Sequence, residues 1–326
     1  MPKSRQKRDT WGKCPWAELE KAIRGGNTAV VKECLQKGMD PNMVLKSGMT
    51  ALHLAVMYRH DRCARLLLEN GARADIHEAT GGHTPLHGCA RWGYIRIAQT
   101  ILEFNSSREV VNAQNNQGHT PLHLAVVHKD ETIGVELVRV LLDCGANWNI
   151  STFKRGTTPF VNAIQYRKLL CLQTLLEKGA NPNLGKGWPL HHASDTVDYD
   201  LAKLLLMYGA KVDVWDQGGF NPMFGAVFKD NVRFARLLYD FGMDPMRVSE
   251  KLMLSPYQVA LAMSKRAGSN TETFKFFQSI KSRPRRLQDL CRLLIRDTVE
   301  PGHFHLLCEL KERLTLVMYE YLQHKE

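Results

Sequence analysis

Short apolar stretches at helical spacing alternate with polar, glycine-marked breaks along most of this 326-residue chain. Gly48-Met-Thr-Ala-Leu-His-Leu-Ala55 opens one stretch, and Cys63-Ala-Arg-Leu-Leu-Leu68 forms the next. Leu and Ala at this spacing predict two helices separated by a tight turn. The opening phrase returns as Gly82-His-Thr-Pro-Leu-His-Gly-Cys-Ala90 and Gly118-His-Thr-Pro-Leu-His-Leu-Ala125. Weaker copies are Thr157-Thr-Pro-Phe160, Trp188-Pro-Leu-His-His-Ala193, Asn221-Pro-Met-Phe224 and Ser255-Pro-Tyr-Gln-Val-Ala260. The position held by Ala51, Pro85, Pro121, Pro159, Pro189, Pro222 and Pro256 advances by 34, 36, 38, 30, 33 and 34 residues. That spread surrounds one period of about 33 residues, the mark of a repeated structural unit.

Each part of the phrase has a mechanical reason. A Thr, Ser or Asn side-chain oxygen can cap the first helix, and Pro at the first helical position brings a pre-set φ and wastes no donor. The small Ala lets neighbouring helices approach closely. Gly71, Gly145, Gly179, Gly209 and Gly242 stand where the second helix stops, a place that calls for positive φ. Hairpins containing Asn or Asp, such as Ala180-Asn-Pro-Asn183, lead to the next cap.

Phrase, period and stop signal together resemble the ankyrin repeat, over residues 14–280 and about eight repeats. The resemblance implies an all-α solenoid of helix-turn-helix repeats with hairpin loops. It also implies binding through hairpin tips and the concave side of the first helices, with no catalytic centre. Trp16 to Asn42 lacks the Thr-Pro start and reads as a capping repeat. Extra residues around Asn105-Ser-Ser-Arg108 and Lys129-Asp-Glu-Thr-Ile-Gly134 are expected on loops outside the core. Tyr58, Arg91, Trp92, His128, Tyr166, Trp188 and Phe228 fall on the concave side and are the expected substrate-binding groove, because Tyr, Trp and Arg dominate interface energetics. Local packing of each aromatic is the competing expectation.

His53, His87, His123 and His191 recur once per repeat. Neighbouring repeats stand roughly 10 Å apart if they follow helix packing distances, too far for one metal to be shared. These rings are expected to bond to loop and cap groups. No phosphate loop, nucleophile elbow or informative carboxylate pair is present, so no enzyme, metal or cofactor is expected.

The net charge of +11 points to acidic partners, protein or nucleic acid. Much of the excess is local, in Lys3, Arg5, Lys7 and Arg8 and in Lys281, Arg283, Arg285 and Arg286. Neither cluster carries interleaved aromatics, so a protein partner is expected and nucleic acid is not. Residues 1–13 read as a basic disordered tail or weak nuclear-import signal. Eight cysteines without a C-x-x-C pair, no signal-peptide stretch and no apolar run of membrane length place the expected home in the cytoplasm or nucleus.

Beyond the repeats, residues 281–326 carry a different pattern. Leu287, Cys291 and Ile295 recur every four residues on one helix face, with Leu290 beside them. This resembles the first helix of a SOCS box, and the whole chain resembles the ankyrin repeat and SOCS box family. The resemblance implies a non-catalytic substrate adaptor of a ubiquitin ligase. Leu287, Leu290, Cys291 and Ile295 would dock on elongin C, with elongin B, cullin 5 and its RING partner completing the ligase. The cullin-contacting element of the family usually holds Leu-Pro-x-Pro, whereas Phe304-His-Leu-Leu-Cys-Glu-Leu-Lys-Glu-Arg313 has no proline. Leu306, Leu307 and Leu310 are the contacts left for cullin. The alternative is a scaffold whose terminal helices simply cap the repeats.

Overall fold

The computed structural model describes residues 15–268 and 270–281. The basic tail and the whole predicted SOCS box, including Leu287, Leu290, Cys291, Ile295, Leu306, Leu307 and Leu310, lie outside the described residues. Among the described residues every regular element is helical and there is no strand.

Among the described residues eight helix pairs follow one another along the chain. They are α1 (Pro15–Arg24) with α2 (Thr28–Gln36), α3 (Ala51–Met57) with α4 (Asp61–Glu69), and α5 (Pro85–Trp92) with α6 (Ile95–Phe104). A short α7 (Arg108–Val111) precedes α8 (Pro121–Val126) and α9 (Glu131–Asp143), and α10 (Pro159–Gln165) pairs with α11 (Leu169–Glu177). Then come α12 (Leu184–Thr196) with α13 (Tyr199–Met207), α14 (Pro222–Phe228) with α15 (Val232–Asp240), and α16 (Pro256–Ala267) with α17 (Glu272–Lys281). The chain divides into two compact units at Thr174/Leu175, within α11.

In the first unit the inner helices α3, α5, α8 and α10 stack in order, as do the outer helices α2, α4, α6 and α9. Their shared core is continuous. Leu52, Leu86 and Leu122 of the repeated phrase are fully buried, and so are Cys63, Leu67, Ile97, Ile101, Leu137 and Val138 of the outer layer. In the second unit α12, α14 and α16 form the inner layer and α13, α15 and α17 the outer. Phe224, Phe234 and Phe277 are its largest buried side chains.

Hairpins close the repeats without becoming strands. Glu78, Asn115 and Thr152 each donate a backbone N–H to the carbonyl five or four residues on, at His83, His119 and Thr157. Single backbone bonds then link hairpin to hairpin: Ala79 to Gly48, Asn116 to Gly81 and Phe153 to Gln117, at 3.0–3.2 Å. This close approach is why glycine stands at Gly118, whose φ is +83°. A Cβ there would come within 2.6 Å of the Phe153 nitrogen.

Two local expectations are corrected, while the extra residues of repeat three do lie on a loop outside the core, at 105–107, before Arg108 opens α7, whose Val110 and Val111 are completely buried. Those of repeat four enter α9, because Asp130 Oδ1 accepts the Thr132 and Ile133 N–H groups at 2.9 and 3.3 Å and starts the helix early. Gly134 consequently lies buried within it. Pro189 stands inside α12, not at its first position. Trp188 before it offers no oxygen for a cap, and the chain enters instead through Gly185 and Gly187, both at positive φ.

Candidate functional site

The recurring histidines are structural joints. His87 Nδ1 lies 3.1 Å from the Thr84 nitrogen and 2.8 Å from its hydroxyl, while Nε2 lies 2.8 Å from the His119 carbonyl in the next repeat. His53 and His123 repeat the arrangement with Thr50 and the His83 carbonyl, and with Thr120 and the Thr157 carbonyl. A carbonyl only accepts, so its partner assigns the proton to Nε2 and leaves Nδ1 to accept the Thr N–H. A second proton on Nδ1 would face that donor. Burial, foremost, holds all three rings below the usual histidine range, His87 to about 3 and His123 to about 4. His191 departs from the pattern: with Trp188 at the cap position it has no Thr to bond, and its Nε2 is buried without a partner.

With these rings spent on the fold, the residues that face outward define the site. Arg91 and Trp92 end α5 and are exposed, Trp92 to 43%. They border a concave-side cavity of about 400 Å³, together with Met49, Met57, Glu78 and His83. Tyr58 follows α3 outside this lining, with the Arg24 guanidinium 5.8 Å from its ring centroid. Tyr166 follows α10 and is 59% exposed. His128 is consumed locally: its Nδ1 lies 2.9 Å from the Asp130 carbonyl, and its own carbonyl accepts from Lys168 Nζ at 2.7 Å.

In the second unit Trp188 stacks on His192 at 5.1 Å. Phe228 is half exposed, its ring packed 5.8 Å from Phe220 and 6.2 Å from Phe224. Of the seven predicted groove residues, then, the first unit brings Arg91 and Trp92 to one cavity. Tyr58 and Phe228 are partly engaged by neighbours, and Trp188 is stacked.

Glu78 was missed by the sequence analysis. Its carboxylate accepts from the Gly81 N–H at 2.7 Å and the Thr80 N–H at 3.0 Å, from the Thr80 hydroxyl, and from His83 Nδ1 at 3.1 Å. Burial raises its pKa, but these donors outweigh burial and bring it down to about 2. Asn115, Thr152, Asp216 and Ser249 serve the same hairpin position with their own side-chain oxygens. The residue type varies while the role is constant, so only the period could have located it.

Among the described residues no cluster of His, Cys, Asp and Glu could hold a metal ion, and no helix is long and apolar enough to cross a membrane. Cys34, Cys63, Cys89 and Cys171 are buried free thiols; burial raises all four, Cys171 to about 12. What remains is a rigid, capped helical face presenting Arg and aromatic side chains, the equipment of a protein-binding module.

A family model for ankyrin repeats matches three times, over residues 19–109, 74–150 and 104–186. The chain belongs to the ankyrin-repeat family. It is 28% identical to the human ankyrin repeat and SOCS box protein 16, covering 71% of this chain and 48% of that protein. It is 29% identical to the E3 ubiquitin-protein ligase KEG of Arabidopsis thaliana, over 60% of this chain and 13% of that one. Identity with mouse Rabankyrin-5 is 30%, over 55% of this chain and 16% of the relative. The chain thus spans less than half the length of each of these relatives.

Proposed function

We propose that this ankyrin-repeat protein is the substrate receptor of an elongin B/elongin C–cullin–RING ubiquitin ligase. The observation that carries the receptor half is the concave cavity bordered by exposed Arg91 and Trp92 on a face whose titratable groups are otherwise spent on the fold. The array holds the protein substrate, without chemistry of its own. Support for the ligase half is the Leu287, Leu290, Cys291 and Ile295 signature, with Leu306, Leu307 and Leu310 as cullin 5 contacts. Alignment with a relative named for its ankyrin repeats and SOCS box supports it further.

The receptor function divides physically. A short apolar helix face binds by inserting its ridge into a partner's groove, and a charge on that ridge forbids burial. Co-expression with elongin B and elongin C is therefore expected to yield a stable ternary complex from the wild-type chain and none from the Leu287→Asp, Cys291→Asp double variant. Undiminished association of that variant sinks the ligase half. If neither protein co-purifies with the elongins, the scaffold alternative holds.

A further inference from the structure

The inner-helix phrase places leucine directly after its histidine in repeats two and four, as Leu54 and Leu124. Repeat three has Gly88 at that place. The space that side chain would take is filled by Trp92 and Val56. Trp92, one helical turn later, leans its indole over Gly88, so that a Cβ on Gly88 would lie 3.0 Å from the Trp92 ring and 3.1 Å from Val56 Cγ1. The Cε3 and Cζ3 atoms of the indole therefore occupy the place a Gly88 side chain would need, while Trp92 as a whole remains 43% exposed. Met57, 44% exposed, forms the neighbouring wall. A thioether and an indole around a cavity of about 400 Å³ suit one or two large apolar side chains.

The polar rim decides what accompanies them. Glu78 already accepts five hydrogen bonds, from Thr80 twice, Gly81 once and His83 twice. His83 donates to Glu78 through Nδ1, and its Nε2 lies 3.2 Å from Asn115 Nδ2, so both ring nitrogens are used. Asn115 Oδ1 is in turn held by the Gln117 and His119 N–H groups. Arg91 is the exception: among the described residues it makes no ion pair or hydrogen bond. Its forked donors are open to a carboxylate, which they bind in two-point fashion.

We propose that the cavity over which Gly88 lets Trp92 lie is the anchor subsite of this face, and that its occupant is a segment of a partner protein carrying a large apolar side chain beside an Asp or Glu. The apolar group lies against Trp92 and Met57, and the carboxylate pairs with Arg91. The inference rests on the substrate-holding half of the function proposed above. It adds the recognised chemistry, an acidic and apolar linear segment, and it assigns selectivity to a glycine.

The test is a phage-displayed library of random peptides about twelve residues long, panned on the full-length chain. Enriched peptides are synthesised, labelled and titrated by fluorescence polarisation. The expected result is enrichment of an aromatic or leucine anchor within about three positions of an acidic residue, with at least tenfold weaker binding to Gly88→Leu and to Arg91→Glu. Replacing the peptide's acid by its amide should weaken binding to wild type, have no further effect on Arg91→Gln, and restore part of the binding lost in Arg91→Glu. Since Gly88→Leu forces Trp92 to move, Arg91→Gln and Trp92→Ala serve as variants that leave the backbone undisturbed, and each should also weaken binding.

Failure to enrich any peptide overturns the proposal, as does enrichment without acidic residues or equal affinity for wild type and all four variants. Concentration-dependent self-association abolished by Gly88→Leu, with no peptide bound, overturns it in favour of a second copy of this chain. Elongin co-purification by the same variants separates the two ideas. Elongins retained without peptide selection ends this inference alone, and peptide selection without elongins ends the ligase half alone.

Discussion

His87 Nε2 lies 2.8 Å from the carbonyl oxygen of His119, so one imidazole joins the cap of repeat three to the hairpin of repeat four. The same ring takes the Thr84 N–H on its other nitrogen. His87→Ala would leave the buried Thr84 N–H unpaired, take from the His119 carbonyl one of its two donors, the Asn115 N–H remaining, and open a void the size of the ring. Each unsatisfied group costs about 1–3 kcal/mol. The variant is expected to lose roughly 3 kcal/mol in urea denaturation, with faster amide exchange concentrated in α5 and the hairpin before α8. A loss under about 1 kcal/mol would show that the joint is not a principal contributor.

The folded state keeps His53, His87 and His123 neutral to lower pH than the unfolded chain does. Between the unfolded value near 6.5 and the folded values of about 3 and 4 for His87 and His123, the unfolded state binds more protons. Stability is therefore fully present above pH 6.5 and falls as pH drops, by about 1.4 kcal/mol per pH unit for each ring. Denaturant midpoints measured from pH 7 to pH 4 check this.

Gln258 fills the histidine's place in α16, its Oε1 accepting the Ser255 N–H at 2.8 Å. A glutamine can thus hold a cap of this kind without titrating. His123→Gln should keep the fold at pH 7 and flatten the acid dependence by about one proton, a slope change of about 1.4 kcal/mol per pH unit. An unchanged slope would locate the acid sensitivity elsewhere.

Gly134 lies inside α9, where alanine would ordinarily gain about 1 kcal/mol of helix propensity. A Cβ there would stand 2.9 Å from the Ala125 carbonyl oxygen of the paired helix α8. Backbone cannot step aside as a side chain does, and overpacking costs typically 1–3 kcal/mol. Gly134→Ala should therefore destabilise by about 1 kcal/mol net, read as a lower melting temperature. A rise in melting temperature would refute the close approach.

Val197 closes α12 in the left-handed region, at φ 55° and ψ 35°. A β-branched residue is strained there by about 1–2 kcal/mol. Gly93 and Gly268 hold the equivalent αL place after α5 and α16. Val197→Gly should stabilise the second unit by up to about 1 kcal/mol, measured by differential scanning calorimetry.

The helix pairs were legible because each cue is local. Thr or Asn followed by Pro marks a start wherever it occurs, as at Thr158 and Asn221, whose side-chain oxygens accept the Val161 and Met223 N–H groups. Where the cue was missing, at Trp188-Pro189, the helix start was misplaced. The site was only partly legible. Arg91 and Trp92 stood out by residue type and position. Glu78 did not, because its role comes from donors that the hairpin gathers around it.

By itself the sequence determined the period, the caps and the α-helical repeat class, since these depend on residues within one or two turns of each other. The tertiary structure decided what the recurrent histidines bond to, where repeat three lacks a side chain, and which charges remain unpaired. Those outcomes depend on neighbours some thirty residues away. His87 meets His119, and His83 meets Asn115, only once repeats are stacked. Burial then keeps the His87 ring neutral, and stacking leaves Arg91 beside Gly88 and Trp92 with donors to offer.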